Sequence, residues 1–465
     1  MPRHWQVLIV VTAGAFLANL DLFIVNVAFP AISADFPGTG LADLSWVLNA
    51  YAIVFAALLV PAGRLADLVG RKRVFLGGLG LFLAASAACG LAPGPWALVG
   101  ARVAQAVGAA LMIPTSLALL LPEFPVRRRA AAVGLWTAGA AVAATIGPTI
   151  GGLLVTASWR WVFLINLPLG GLTALAGARI LRESRDPVRG RRPDLLGALL
   201  LCAGVGALAL GVVKGGDWGW ASPAFVGTEA VAVASLLAVA LRSARHPAPV
   251  VEPALLRPRA TRAADAGVFL FSMAFFPLLL ASILFMTEVW GYSALEAGLA
   301  IAPGPLMVAL LSWPAGALAG RLGARRLVLP GVVLFAAACA WWIWQASASP
   351  DYLVDMLPST ILAGAGVALT FPTLAGAAVA DLPPERTATG SALFNMARQI
   401  GGVVGIAAFV AILGSGAPGL EEFRAGWALM AAAALAAGAV ATLLPAPRAA
   451  PPERAYAGTS SAAVP

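Results

Sequence analysis

One acidic and one basic residue lie inside long apolar segments of this sequence, and together they can bind and release a proton. Asp21 falls near the middle of the apolar segment 6–30, and Arg102 lies five residues inside the segment 97–121. Ionisable groups are costly in a hydrocarbon core, so those found there are functional candidates. Desolvation favours the protonated acid, whereas a nearby guanidinium favours the carboxylate. The balance between the two effects would set when Asp21 carries its proton.

Each of these two residues also has a simpler interpretation. Asp21 could form a fixed hydrogen bond to a neighbouring helix and never exchange a proton. Arg102 could extend its side chain to the membrane surface, because it lies close to the end of its segment. The residues alone leave both alternatives open.

Fourteen apolar segments, separated by clusters of Arg, Pro and Gly, must position these side chains. Of the 465 residues, 60% are hydrophobic and 11% are charged, whereas soluble domains average roughly 45–50% and 25%. About 20 residues suffice for a helix to cross a hydrocarbon core of ~30 Å. We therefore predict an all-α membrane protein. The predicted spans are 6–30, 43–66, 74–92, 97–121, 130–156, 159–181, 194–214, 222–241, 263–287, 293–318, 327–345, 353–379, 389–414 and 424–444.

The net charge of +9 would also suit a nucleic-acid-binding protein, so the positions of the charges must decide. Most of the 30 Lys and Arg residues lie in alternate loops that share one side of the membrane with the N-terminus. Cytoplasmic loops of membrane proteins are enriched in Lys and Arg. We expect a multi-pass protein of the inner (cytoplasmic) membrane, with both termini in the cytoplasm, the lipid bilayer as partner and no bound nucleic acid.

Other function classes lack their characteristic residues. Cys89, Cys202 and Cys339 lie in separate apolar segments, and the 2 histidines stand alone in polar ones. A metal site or a catalytic cluster cannot be assembled from these residues. The sequence also lacks the G-x-x-x-x-G-K-[ST] loop of ATP-driven pumps. We expect no enzyme activity and no cofactor beyond a proton gradient; a receptor or sensor stays open as a class.

An internal repeat relates the two halves of the chain. The segment Pro61–Gly78 recurs as Pro314–Gly331, with 9 identities in 18 positions. Parallel repeats of this kind occur in transporters built from two homologous bundles. The predicted organisation is a six-helix bundle at 1–190, two inserted spans at 191–241, a cytoplasmic linker at 242–262, a second six-helix bundle at 263–444 and a disordered tail at 445–465.

The turn inside the first copy of the repeat combines glycines with charges. Its glycines permit close helix approach, and Asp67 can pair with an arginine or meet a helix N-terminus. We predict a gate latch, which is asymmetric because Gly320 replaces Asp67 in the second copy. A basic loop that only sets topology would not explain Asp67. The predicted gate residues are Gly63, Arg64, Asp67, Gly70, Arg71 and Lys72.

Two further sets of residues suggest packing and substrate binding. Gly147, Pro148, Gly151 and Gly152 give the fifth span a small face and a kink for close packing across the two halves. Aromatic residues with a few polar ones suit a cavity for a hydrophobic ligand, although Arg398 could instead lock helices together. The predicted cavity residues are Asn26, Trp46, Asn49, Tyr51, Trp136, Phe371, Phe394 and Arg398.

Eight segments, in order along the chain, resemble the fourteen-span drug:proton antiporter family of the major facilitator superfamily. The first reads L-D-L-F-I-V-N-V-A-F-P and the third G-R-L-A-D-L-V-G-R-K-R. The resemblance covers nearly the whole chain. The segments are Leu20–Pro30, Trp46–Tyr51, Gly63–Arg73, Arg102–Ser116, Gly147–Gly152, Trp159–Gly170, Gly291–Pro303 and Gly390–Gly405.

The resemblance implies a major facilitator fold, with two six-helix bundles plus two inserted spans, or 14 transmembrane helices. It also implies export of hydrophobic or monocationic drugs in exchange for protons by alternating access, with Arg102 and Gln105 acting beside Asp21 in proton coupling. The motif Gly147–Gly152 is associated with antiporters and favours export over uptake. An exporter of an endogenous metabolite, such as a self-made antibiotic, lipid or amino acid, is the alternative. We expect a monomer.

The second half departs from some members of this family. Predicted spans 10 to 14 contain no central carboxylate, whereas some relatives carry additional acids there. Asp21 then stands as the single deep acid. We therefore expect few protons per cycle and a neutral or monocationic substrate.

Overall fold

The protein is built from long helices joined by short turns. The computed structural model describes residues 1–185, 192–382, 386–414 and 418–444, and no strand occurs within them. A helix satisfies its own backbone hydrogen bonds, which a segment surrounded by hydrocarbon must do. The predicted tail, 445–465, lies outside the described residues.

The helices of the described residues are numbered α1 to α17 in chain order. The first half contains α1 Arg3–Asp35, α2 Leu41–Leu44, α3 Trp46–Val69, α4 Arg71–Gly90, α5 Pro95–Leu120, α6 Val126–Val155, α7 Trp161–Leu164 and α8 Asn166–Ile180. The inserted pair is α9 Leu195–Trp218 and α10 Pro223–Arg245. The second half contains α11 Arg259–Leu284, α12 Ala294–Ile301, α13 Pro303–Leu322, α14 Ala324–Gln345, α15 Leu357–Val379, α16 Thr387–Leu413 and α17 Leu420–Ala441.

Thirteen helical stretches within the described residues are long and apolar enough to cross a membrane. The fifth predicted span, 130–156, falls in α6, whose described apolar part is only Ile146–Val155. The tenth is divided into α12 and α13 at Ala302, directly before Pro303, because proline has no backbone N–H and so removes a hydrogen bond from the helix. The all-helical, multi-pass architecture is confirmed.

Glycine pairs repeat the same close helix contact in both halves. In the first half, a Cβ atom at Gly108 of α5 would lie 2.7 Å from the carbonyl oxygen of Gly78 of α4. In the second half, a Cβ atom at Gly366 of α15 would lie 2.6 Å from the carbonyl oxygen of Gly331 of α14. Gly78 and Gly331 occupy the same position of the sequence repeat. Small residues let helix backbones touch where hydrophobic burial cannot drive association.

The two halves meet through backbone atoms at one end of the molecule. A Cβ atom at Gly152 of α6 would lie 2.7 Å from the carbonyl oxygen of Ala294 of α12, and one at Gly298 would lie 2.6 Å from that of Pro148. We call the end that carries residues 63–73 the basic end, and this contact lies at the opposite end.

The inserted pair lies against both halves. Helix α9 packs on α3, α16 and α10. Two ion pairs fix it: Lys214 Nζ lies 2.9 Å from Asp43 Oδ1 at the opposite end, and Arg242 Nε donates to Asp194 Oδ1 at 2.6 Å at the basic end. The pair therefore covers one of the seams between the halves.

The connection between the halves is shorter and better packed than a flexible linker. Helix α10 continues to Arg245 and α11 begins at Arg259, so only 246–258 of the predicted linker 242–262 lies outside the α-helices, and Pro253–Leu256 within it forms a 3₁₀ helix. Within it, Val250 and Leu255 are buried. This segment therefore contributes to the core.

The glycine contact between the halves leads to a stability prediction. Alanine at Gly298 would overlap Pro148, and overpacking costs about 1–3 kcal/mol, so Gly298→Ala should lower the midpoint of thermal unfolding in detergent. Gly316→Ala is the matched control, because a Cβ atom there meets nothing within 4 Å. It should unfold at or above the wild-type temperature. Equal midpoints for both variants would contradict the close contact.

Candidate functional site

The centre of the candidate site is a buried ion pair between α1 and α5. Asp21 and Arg102 are both 0% exposed, and Arg102 Nη1 donates to Asp21 Oδ2. The same guanidinium donates from Nε to the carbonyl oxygen of Val47 at 3.1 Å and from Nη1 to Gln105 Oε1 at 2.8 Å. Arg102 therefore points into the bundle and does not extend to the surface.

The groups around Asp21 fit an ionised carboxylate. Gln105 Nε2 donates to Oδ1 at 2.7 Å and Asn166 Nδ2 donates to the same atom at 3.3 Å. An ionised carboxylate only accepts hydrogen bonds, whereas a protonated one also needs an acceptor. Every partner of Asp21 among the described residues donates a hydrogen bond to it, and Arg102 supplies the opposite charge that a buried carboxylate requires.

A second layer of hydrogen bonds orients these donors. Ser86 Oγ of α4 accepts from Gln105 Nε2 at 3.2 Å and from Asn166 Nδ2 at 3.0 Å, and it donates to the carbonyl oxygen of Phe163 at 2.8 Å. The network thus joins α1, α3, α4, α5, α7 and α8. The sequence analysis did not identify Ser86 or Asn166; the only signal for Asn166 was an amide within an apolar segment.

An aromatic side chain of α3 covers the guanidinium. The Tyr51 ring centroid lies 4.1 Å from Arg102 Cζ, and that of Phe163 lies 5.8 Å from it. The negative face of an aromatic ring attracts a cation. Asn49 of the same helix is fully buried, and neither atom of its amide has a hydrogen-bond partner.

The remaining predicted cavity residues do not join this network. Asn26 donates to the carbonyl oxygen of Leu22 in its own helix at 3.1 Å. Trp46 is half-buried against the core, and the half-buried Trp136 has a buried Nε1 without a partner.

The predicted cavity residues of the second half form a separate, mainly aromatic group. Phe371 of α15 contacts Phe271 and Phe275 of α11, with ring centroids 5.1 and 5.2 Å away. Arg398 Cζ lies 5.9 Å from the Phe371 ring, and its buried Nε has no partner. Phe394 is buried one turn earlier on α16. The predicted cavity residues therefore lie in two groups, one in each half.

The predicted gate turn is held mainly within the first half. Asp67 accepts from Arg71 Nη2 at 2.9 Å. Glu183, which the sequence analysis missed, accepts from the backbone N–H of Lys72 at 3.1 Å and so caps α4. Gly70 has φ +127° and faces the Glu183 carboxylate, so a side chain there would be strained and would clash. Gly63 packs near Pro114 of α5.

Within the described residues, Arg64 takes part in an ion-pair bridge between the halves at the basic end, whereas Asp67 pairs with Arg71 in its own half. Glu252 of the connecting segment lies 3.8 Å from Arg64 Nη2 of α3 and 3.2 Å from Arg386 Nη1, directly before α16. One carboxylate thus bridges the two halves. Because ion pairs are not apparent from local sequence, this bridge was not predicted.

The four residues of the predicted antiporter motif contact two different partners. Gly147 and Gly151 pack against Leu20, Phe23 and Ile24 of α1, with Ile24 Cγ1 2.8 Å from a Cβ atom placed at Gly151. Gly152 and Pro148 face α12 of the other half. Helix α6 therefore connects the helix that carries Asp21 to the second half.

The chain matches a known protein family. The family model described as Major Facilitator Superfamily matches residues 11–406 and 264–463. The chain belongs to this superfamily. It is therefore a multi-pass membrane transporter, and the two glycine pairs and the sequence repeat are the marks of its two related halves.

Two named proteins and one solved structure are similar to this transporter. "Multidrug resistance protein Stp" of Mycobacterium tuberculosis is 37% identical over 87% of this chain and 75% of its own length. "Cephamycin export protein CmcT" of Amycolatopsis lactamdurans is 34% identical over 89% of this chain and 85% of its own length. A crystal structure of the peptide transporter POT in complex with sulfate matches at TM-score 0.68 and 16% identity, over 94% of both chains. This last match shows the fold.

The ion pair leads to a prediction by double substitution. Removing one partner of a buried pair costs about 3–5 kcal/mol, whereas replacing both by apolar residues is often neutral. Asp21→Leu and Arg102→Met should therefore each lower the thermal midpoint in detergent, and the double variant should recover much of the loss. A double variant whose midpoint falls by the sum of the two single effects would contradict a coupled pair.

The Glu252 bridge leads to a conformational prediction. Glu252→Gln removes an ionic link between the halves, and because partly exposed pairs contribute about 0–1 kcal/mol, we expect the basic end to open up to about fivefold more often. Spin labels attached at Val69→Cys and Arg325→Cys, both exposed positions, would report the distance between the two halves by double electron–electron resonance spectroscopy. Glu123→Gln, which breaks a pair with Arg3 inside one half, should leave the distances unchanged; an equal change in both variants would contradict the bridge.

Proposed function

We propose that this transporter is a proton-coupled antiporter that exports hydrophobic or monocationic drugs by alternating access of its two halves. The observation that carries the proposal is the Asp21 network, a fully buried carboxylate neutralised by one arginine in an apolar bundle. Two relatives named for multidrug resistance and for cephamycin export support export of drug-like molecules.

Protonation of Asp21 would change how the halves are held together. A neutral Asp21 no longer attracts Arg102, which keeps its bonds to Gln105 and the carbonyl oxygen of Val47. The attachment of α1 to α5 then weakens. Because Ile24 of α1 packs into Gly151 of α6, and α6 touches α12, movement of α1 can reach the contact between the halves. The proposed coupling thus runs through packed helices.

The charge balance gives the proton its driving force. The ion pair is neutral, whereas protonated Asp21 beside Arg102 carries one positive charge. Moving one charge across the membrane is worth ~2.3 kcal/mol per 100 mV. Proton entry would therefore favour return of the empty transporter to the state that accepts drug from the cytoplasm.

The proposed topology has one membrane span more than the thirteen apolar stretches of the described residues. We infer that α6 is also a span, because its 30 residues correspond to ~45 Å of helix. This gives fourteen spans in two six-helix bundles plus the inserted pair, as in the fourteen-span drug:proton antiporter branch. An even number of spans places both termini on one side, and the Arg-rich basic end is proposed to face the cytoplasm of the inner membrane.

A narrow exporter of one endogenous metabolite is the second candidate. The relative named Cephamycin export protein is named for a single class of antibiotic and favours this alternative. The two candidates share fold and coupling, and differ in how many compounds drive proton movement.

Transport in everted membrane vesicles tests the proposal. Vesicles that contain wild type, with an acid interior, should accumulate ethidium and lose lumenal protons, whereas Asp21→Asn should do neither. Asp35→Asn is the matched control on the same helix, because Asp35 also pairs with an arginine, Arg160, but is exposed; it should transport as wild type does. Wild-type vesicles that move neither dye nor protons with a broad compound panel would contradict multidrug antiport.

A further inference from the structure

Asp265 is a second buried carboxylate, which the sequence analysis overlooked. It lies six residues after the start of α11, ~9 Å along the helix, and only 7% of its surface is exposed. Neither of its carboxylate oxygens has a hydrogen-bond partner among the described residues. Most buried polar side-chain atoms in proteins have at least one hydrogen-bond partner, so this carboxyl group is unusual.

The other fully buried acids of the described residues all have partners, although the partly exposed Glu229 of α10 has one buried oxygen without a partner. Asp21 is bound by Arg102, and Asp194 by Arg242. Asp355 Oδ2 accepts from the hydroxyl of Ser347 at 3.2 Å and from its backbone N–H at 3.3 Å. Asp265 is therefore the exception among them.

Asp265 lies on a polar stripe that enters the second half from the basic end. Thr261 of α11 donates to the carbonyl oxygen of Ala378 of α15 at 2.9 Å. Asp265 is one helical turn further along on the same face, and Ser272, two turns beyond it, completes the stripe. Thr261 and Ser272 are both 0% exposed, and the Ser272 hydroxyl has no partner.

No countercharge in the described residues reaches Asp265. The nearest cations in sequence are Arg257, just before α11, and Arg259 and Arg262 on α11 itself. The acid Glu252 lies directly before the turn Pro253–Leu256. None of these residues, nor Arg398 on the neighbouring α16, forms an ion pair with it.

The other helices packed against α11 supply no partner either. Helix α15 contains no ionisable residue. Those of α17 lie in its first five residues, at the opposite end. On α1, Asp21 is bound to Arg102 in the first half, Asp35 to Arg160 at the opposite end, and Arg3 to Glu123. His4 packs against Phe124. The acids of α12 and of the turn after α11, Glu296 and Glu288, lie at the opposite end.

From this arrangement we propose that Asp265 is a second proton-binding site, located in the second half, and that it holds its proton in the state described here while Asp21 is ionised. An unpaired carboxylate within a membrane protein is costly, and a group in that position becomes neutral by binding a proton. The proposal rests on the proposed proton coupling. When the basic end opens, Asp265 would release this proton to cytoplasmic water and leave a carboxylate.

A consequence is that two acids, one in each half, exchange protons during the cycle. The single deep acid expected from the sequence would give one proton per substrate. With Asp265 included the ratio is two, and the exchange of a monocation for two protons moves net charge across the membrane.

Infrared spectroscopy of the purified full-length protein tests the protonation directly. At neutral pH, wild type should show the carbonyl stretch of a protonated carboxylic acid, and this band should lose intensity in Asp265→Asn. Asp355→Asn is the matched control, since that buried acid has partners, and it should keep the band. Asp265→Glu should retain a shifted band, which guards against an effect of misfolding. A band of wild-type intensity in Asp265→Asn would overturn the proposal.

Proton counting in proteoliposomes tests the role in transport. The number of protons exchanged per ethidium should fall twofold in Asp265→Asn and stay at the wild-type value in Asp355→Asn. An unchanged ratio in Asp265→Asn would overturn the proposal. If wild type itself moves no protons, the antiport function fails, and the infrared band still decides whether Asp265 binds a proton.

Discussion

The arrangement of the first half depends on burying one ion pair away from water. Arg102 and Asp21 attract each other strongly in an apolar bundle, but desolvation offsets that attraction unless their remaining donors and acceptors are satisfied. Gln105, Asn166 and the carbonyl oxygen of Val47 meet this requirement. Because these groups come from different helices, the pair fixes how the helices are rotated, and loss of its charge would release them together.

The two halves share a scaffold but differ in charge. The glycine contact of Gly78 in the first half recurs at Gly331 in the second, as expected for a duplicated bundle. The acids differ, since Asp21 has an arginine partner whereas Asp265 has none among the described residues. The halves thus share helix packing but not the placement of their ionisable groups, which gives the proposed antiporter two unlike proton sites.

The sequence predicted the features that depend on composition and left out those that depend on which helices face each other. Apolar length predicted the spans, and charges within apolar segments singled out Asp21 and Arg102. Ser86 and Asn166 could not be assigned, because their importance comes from contacts with other helices. Asp265 was missed because it lies only three residues inside its predicted span, near arginines, where an acid is usually solvated. Glu252 bridges distant residues that no local pattern connects.

In the proposed antiporter, Asp21 exchanges its proton for a cationic substrate. Addition of tetraphenylphosphonium to the purified protein in weakly buffered detergent, over a series of pH values, tests this exchange most directly. A pH-indicator dye would report the protons released on binding. The account predicts that wild type releases protons and that Asp21→Asn, which still binds the cation, releases fewer. Equal proton release from both proteins would contradict it.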